Sequence, residues 1–209
     1  MSVALQHCLW AESADPAPQP LVPGLTRQHL SEGAWVDLRR GWMDGADALF
    51  DDLAGSVDWH AERRPMYERV VDVPRLLAFY AEQVPLPHPA LVQAKRVLDE
   101  HYQDELGEPF ATAGLCLYRD GRDSVAWHGD RIGRGSSHDT MVAILVLGAP
   151  RPLLLRPRAG GPSLRFPLGH GDLIVMGGSC QRTWEHAIPK TAQPVGPRIS
   201  VQFRPRGVR

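Results

Sequence analysis

The sequence predicts an α+β protein, a double-stranded β-helix (jelly roll) with N-terminal helices buttressing it. Three observations carry that expectation. After residue 109, short runs rich in Val, Ile, Leu, Phe and Thr recur between clusters of Gly, Pro and Asp, the pattern of many antiparallel strands. Before it, two stretches repeat apolar residues at helical spacing. The chain has 209 residues, 43% of them hydrophobic and 22% charged, which suits one globular domain of this architecture.

The elements follow in order. Residues 1–25 read as an extended lead-in, because Ala14 to Pro23 is proline-rich and proline removes backbone donors, so no core is expected there. Residues 26–209 read as the single domain. Gly41 to Leu53 carries Met43, Ala46, Leu49, Phe50 and Leu53 on one helical face, a short helix. A longer helix is expected from about Pro89 to Leu106, with Leu91, Ala94, Leu98 and Tyr102 on one side and Pro89 in its first turn. Strands are expected over Phe110–Tyr118, Ser124–His128, Thr140–Leu147, Leu153–Arg156, Leu164–Phe166, Leu173–Met176 and Arg198–Arg204. Internal repeats, heptads and low-complexity tails are absent from the sequence.

Composition excludes some functions. The first residues lack a basic, long apolar leader, and no run approaches the roughly 18 apolar residues of a membrane span, so a cytoplasmic protein without membrane attachment is expected. Cys8, Cys116 and Cys180 are odd in number without CxxC spacing, which argues for reduced thiols over a disulfide framework or zinc knuckle. Net charge is −1, but residues 1–110 hold 9 basic and 18 acidic side chains and residues 111–209 hold 14 and 6, 13 of the basic ones being arginine. A positive field in the C-terminal half weakly favours a polyanionic partner; an arginine-rich coding bias explains it equally well.

The chemistry is carried by a few positions. Trp127-His128-Gly129-Asp130 ends an expected strand, and residues two apart on a strand project to one side, so an imidazole and a carboxylate face a common point. A facial triad for non-haem iron needs one more histidine and leaves coordination positions open for cosubstrate and dioxygen; His186, in Trp184-Glu185-His186, is the choice. His170-Gly171-Asp172 has the same spelling, but it launches the apolar run Leu173 to Met176 and reads as a turn. His138, in a Gly- and Ser-rich stretch, reads as a loop histidine. On the strand Arg198 to Arg204, positions 198, 200, 202 and 204 share a face opposite Ile199, Val201 and Phe203. Arg198 and Arg204 there form a clamp suited to a dicarboxylate such as 2-oxoglutarate.

Leu117 to Gly121, His128-Gly129-Asp130, His170 to Leu173, Trp184-Glu185-His186 and the final Arg-Ile-Ser-Val-Gln-Phe-Arg resemble, in order and spacing, the AlkB family of iron(II)- and 2-oxoglutarate-dependent dioxygenases, over about residues 65–205. The resemblance implies a jelly roll whose iron ligands are His128, Asp130 and His186. It implies that Arg198 holds the distal carboxylate of 2-oxoglutarate and that Arg204 and Tyr118 hold the oxo-acid end. Val73-Pro74-Arg75 is similar to the family's nucleotide-recognition lid, placed here at about residues 60–85. Two departures stand out: Cys116 occupies a frequent asparagine position, and Ile132 a position where methyladenine-repairing members carry a carboxylate.

The implied activity is oxidative demethylation of N-alkylated bases in DNA or RNA with Fe(II), 2-oxoglutarate and O2, releasing formaldehyde, succinate and CO2. The nucleic acid would be single-stranded or present a flipped-out base, gripped by candidates Tyr67, Arg75, Phe79, Tyr80 and Ile132; as aromatics, Tyr67, Phe79 and Tyr80 could equally be core residues. No obligate protein partner is evident. An alternative keeps the iron chemistry with a protein side chain or small metabolite as substrate; another is a silent jelly roll used for binding.

Overall fold

In the computed structural model, which describes residues 15–66 and 69–208, the chain order is β1 (Ala17–Pro18), β2 (Leu25–His29), β3 (Ala34–Arg39), β4 (Met43–Asp44), α1 (Ala46–Ser56), β5 (His60–Met66), β6 (Arg69–Tyr80), α2 (Pro89–Leu106), β7 (Phe110–Tyr118), β8 (Val125–His128), β9 (Val142–Gly148), β10 (Arg151–Pro157), β11 (Leu164–Leu168), β12 (Leu173–Gly178), α3 (Cys180–Thr183), β13 (Trp184–Ile188) and β14 (Arg198–Pro205). The larger sheet runs β2-β3-β12-β9-β14-β7-β6-β5, the smaller runs β11-β10-β13-β8, and β1 pairs with β4 apart from both. The paired strands are antiparallel.

The larger sheet is covered on both faces, which explains why its central strands read as unbroken apolar runs. Along β9, Ala143, Leu145 and Leu147 join the helix-side core, while Val142, Ile144 and Val146 join a second core against the smaller sheet. Leu49, Phe50 and Leu53 of α1 and Leu91, Ala94, Leu98 and Tyr102 of α2 complete the helix-side core. The expected helix at Pro89–Leu106 has these bounds: the His88 side chain accepts from the Ala90 N–H at 3.1 Å, Pro89 opens the first turn, and Gly107 closes it at φ 73°.

Three features differ from the sequence reading. The lead-in is part of the fold: β1 pairs with β4, the Gln19 N–H donates to Trp42 O, and Leu21 is buried in the helix-side core, because its prolines sit between residues that still pair. The N-terminal half contributes β2, β3, β5 and β6 to the larger sheet, not only buttressing helices. In β3 the pattern is hidden by Asp37, fully buried yet satisfied by Arg27 in two bonds of 2.7 Å and by the Tyr102 hydroxyl at 2.9 Å. Finally, Trp184–Ile188 forms β13, joining β10 to β8.

Candidate active site

Register brings the site together. His186 on β13 lies directly across from His128 at the end of β8, so both imidazoles emerge on the inner face of the smaller sheet, ring centroids 4.2 Å apart. Asp130 follows two residues on. One ligand atom from each of His128, Asp130 and His186 lies within 4.8 Å of the others, so a single ion can meet all three. Gly129 between them is dictated by crowding: a Cβ there would stand 2.5 Å from Gln181 O and 3.2 Å from Trp184 O. The Gln181 side chain, buried on α3, accepts from the Asp130 N–H at 3.0 Å.

Electrostatics keep this donor set in ligand form. His128 Nδ1 sits 2.9 Å from Ala126 O; donating its proton there leaves Nε2, 3.6 Å from Asp130 Oδ1, with a free lone pair. Burial, then the neighbouring His128, pushes the His186 imidazole down to about 3, so it is neutral near pH 7. Burial alone would raise the Asp130 carboxyl, but Arg204 and both imidazoles bring it down to about 2. Arg204 Nε donates to Asp130 Oδ2 at 2.7 Å. Two neutral imidazoles and one carboxylate suit a borderline divalent ion such as Fe(II).

The facing wall of the cavity is β14. Arg198, Ser200, Gln202 and Arg204 line it together with Tyr118, Cys116, Arg75, His128 and His186, and Val125, Ile144, Leu153, Leu168 and Ile188 supply its apolar sides. The empty space is about 440 Å³, in the range of small-molecule sites. Arg198 is 0% exposed. Its Nη1 donates to Ser200 Oγ at 3.1 Å, whereas Nε and Nη2 are buried without a partner among the described residues. A guanidinium keeps its charge even where burial lowers its pKa, so this one lacks its counter-ion, and a carboxylate accepting from Nε and Nη2 would supply it. Burial pushes the Tyr118 hydroxyl up to about 12, so it remains a donor in the same cavity. The residues present therefore fit both Fe(II) and a dicarboxylate.

The remaining sequence candidates divide. Arg75 reaches the cavity wall, with Nη1 donating to Ser124 O at 3.1 Å. Phe79 follows on the same face of β6 and is 54% exposed. Tyr80 does not belong with them: alternation along β6 turns it to the opposite face, against the helix-side core, so its assignment to substrate is corrected to packing. Ile132 is 71% exposed on the loop after Asp130 and does not line the cavity. Tyr67 lies outside the described residues. His170 sits in the expected turn, its Nδ1 accepting from the Gly148 N–H at 2.7 Å, with Gly171 at φ 77°. Sequence reasoning did not assign Ser200 and Gln202 to the site, although the alternation that marks the two arginines marks them too. It also missed Gln181, which no local pattern announces.

Comparisons with known proteins agree with this geometry. Residues 45–204 match the 2OG-Fe(II) oxygenase superfamily. The chain is 32% identical over 212 residues to the alpha-ketoglutarate-dependent dioxygenase alkB homolog 3 of Bos taurus, covering 88% of this chain and 69% of that protein. It is 25% identical over 223 residues to the DNA oxidative demethylase ALKBH2 of Homo sapiens, covering 92% and 84%. The solved structure of OsALKBH1 superposes with a TM-score of 0.60 at 15% identity, covering 87% of this chain and 100% of that one, which supports the fold.

Proposed function

Because the chain belongs to the 2OG-Fe(II) oxygenase superfamily and, within it, to the AlkB family, we propose that this dioxygenase oxidatively demethylates N-alkylated bases of DNA or RNA. The observation that carries the reading is the buried Arg198 guanidinium, left without a counter-ion on the wall facing a His-Asp-His donor set. Relatives named as alkB homologues and as DNA oxidative demethylases support the substrate class.

When bound, Fe(II) and 2-oxoglutarate supply the oxidation, in which dioxygen is consumed, 2-oxoglutarate becomes succinate and CO2, and the alkyl carbon leaves as formaldehyde. His128, Asp130 and His186 would hold the metal. The Ala126 carbonyl fixes the His128 tautomer that presents Nε2, and Arg204 keeps Asp130 ionised and oriented. Arg198 would take the distal carboxylate in a paired hydrogen bond, with the protonated Tyr118 beside it. The apolar walls from Val125, Ile144, Leu153, Leu168 and Ile188 exclude water and strengthen these charge contacts. The alkylated base would enter from a single strand or after flipping, because its alkyl group must reach a centre recessed between two sheets. Phe79, exposed on the cavity-side face of β6, offers a surface for stacking.

The test is formaldehyde and succinate release from single-stranded oligonucleotides bearing 1-methyladenine or 3-methylcytosine, with Fe(II), 2-oxoglutarate and air. Both products are expected from the wild type, and neither above background from His128→Ala. Succinate without formaldehyde on any oligonucleotide would leave the oxygenase and remove the nucleic-acid substrate, favouring a protein side chain or metabolite.

A further inference from the structure

The two arginines of β14 are too far apart to account for the cosubstrate alone. Six residues of strand separate them, roughly 20 Å at about 3.3 Å per residue, whereas a five-carbon diacid spans only about 5 Å over four C–C bonds of about 1.5 Å. Long side chains close part of that gap, yet Arg204 is already committed through Nε to Asp130. What lies between them on the same face is Ser200, taken by Arg198 Nη1, and Gln202.

Gln202 is buried, lines the cavity and stands at its metal end. A Cβ on Gly114, its partner on β7, would stand 3.0 Å from Arg204 Nη1 and 3.2 Å from Gln202 Oε1, so the ends of the two side chains meet over a residue that has none. The carboxamide has a fixed orientation. Its Oε1 accepts from the Cys116 thiol at 3.7 Å, and its Nε2 donates to Ser200 O at 3.1 Å. An amide nitrogen carries two protons, so one remains for a ligand in the cavity.

We propose that Gln202 is a further cosubstrate-positioning residue, its second amide proton donated to the metal-side carboxylate of 2-oxoglutarate while Cys116 holds the amide in the orientation that presents it. This rests on the dioxygenase reading above. It gives Cys116 a role as well: a thiol is too short and too weak a donor to replace an amide at the cosubstrate, but it can set the direction of the neighbouring one. A neutral donor at this point adds specificity without adding a third positive charge beside Arg204, whose attraction for Asp130 keeps that carboxylate in place.

The test is binding, independent of turnover. Protein loaded with Mn(II), which sustains no oxidation, is titrated with 2-oxoglutarate by calorimetry. Gln202→Met removes both amide protons at nearly constant volume; it is expected to weaken 2-oxoglutarate by about tenfold to a hundredfold, with Mn(II) affinity and the melting temperature of the metal-free protein unchanged. In wild-type protein loaded with diamagnetic Zn(II), the Gln202 side-chain amide protons should shift on adding 2-oxoglutarate, a readout that does not depend on the variant folding. Equal affinity in Gln202→Met, or amide protons that do not move, overturns the proposal while leaving the enzyme reading intact. A wild type that binds no 2-oxoglutarate overturns both.

Discussion

At the scale of single residues, the site works by removing choices. Asp130 is gripped from two directions: Arg204 takes one carboxylate oxygen and the Gln181 side chain accepts from its backbone N–H. Leucine at position 181 leaves that N–H buried and unpaired beside a metal donor. Gln181→Leu is therefore expected to weaken Fe(II) or Mn(II) binding on the order of 10 to 100-fold, read by metal titration of the purified protein; unchanged affinity would reduce Gln181 to packing. The His128 and Asp130 pair was legible because strand alternation is a strict rule, and the arginines for the same reason. Gln181 was not legible, since its role depends on α3 folding back over the turn at Gly129, a long-range event without a local sequence mark.

At the scale of elements, α2 is fastened to the larger sheet by one polar contact inside an otherwise apolar interface. The Tyr102 hydroxyl donates to Asp37 of β3, which also takes two bonds from Arg27 of β2, and Arg27 lies 3.7 Å over the Trp35 ring. Tyr102→Phe keeps the ring and loses one bond to a buried charge, so a loss of about 1.5–3 kcal/mol is expected in urea unfolding, with 2-oxoglutarate affinity unaffected. A stability loss under about 0.5 kcal/mol would mean that Arg27 alone satisfies Asp37. This contact also explains which elements sequence reading recovered. Phe110–Tyr118 and Pro89–Leu106 match their expected bounds because their patterns run uninterrupted and clear turn or cap residues flank them. β3 escaped because a buried Asp breaks its alternation. β5 and β6 escaped because Pro65 and Pro74 argue against strands, yet β5 is an edge strand and β6 its neighbour, where a missing donor is tolerated. β13 escaped because Trp184-Glu185-His186 was weighed as a ligand motif and not as a strand.

For the whole molecule, the charge asymmetry of the sequence turns out to be largely internal. Arg119, Arg122, Arg134, Arg156, Arg158, Arg182, Arg204 and Arg206 each pair with a carboxylate, and Arg151 is buried on the carbonyls of Asp120, Asp123 and Pro189. The arginine excess is thus a weaker argument for a polyanion than the count suggests. Acid stability follows from the site. His186 is neutral when folded and takes up a proton only near 3, whereas the unfolded chain does so near 6.5, so the unfolded state binds more protons across that window and stability falls as pH falls. Asp130, held at about 2 against 3.8 unfolded, acts in the same direction lower down. Urea midpoints of the metal-free protein should decline steadily below about pH 6.5, each group contributing at most about 1.4 kcal/mol per pH unit. A flat profile between pH 7 and 4 would contradict the buried neutral imidazole.

The metal donors and the carboxylate clasp stand on different sheets, His128 and His186 on the smaller and Arg198 on the larger. What spaces them is the apolar layer between, with Ile144 from one sheet and Leu153 and Leu168 from the other. That layer is a ruler. Its thickness is set by close-packed side chains that compress very little, so it measures any acid that must touch both walls, and a diacid shorter by one carbon reaches one of them only. Discrimination by ligand length is then a property of the hydrophobic core, built by residues that never form a polar bond to the ligand.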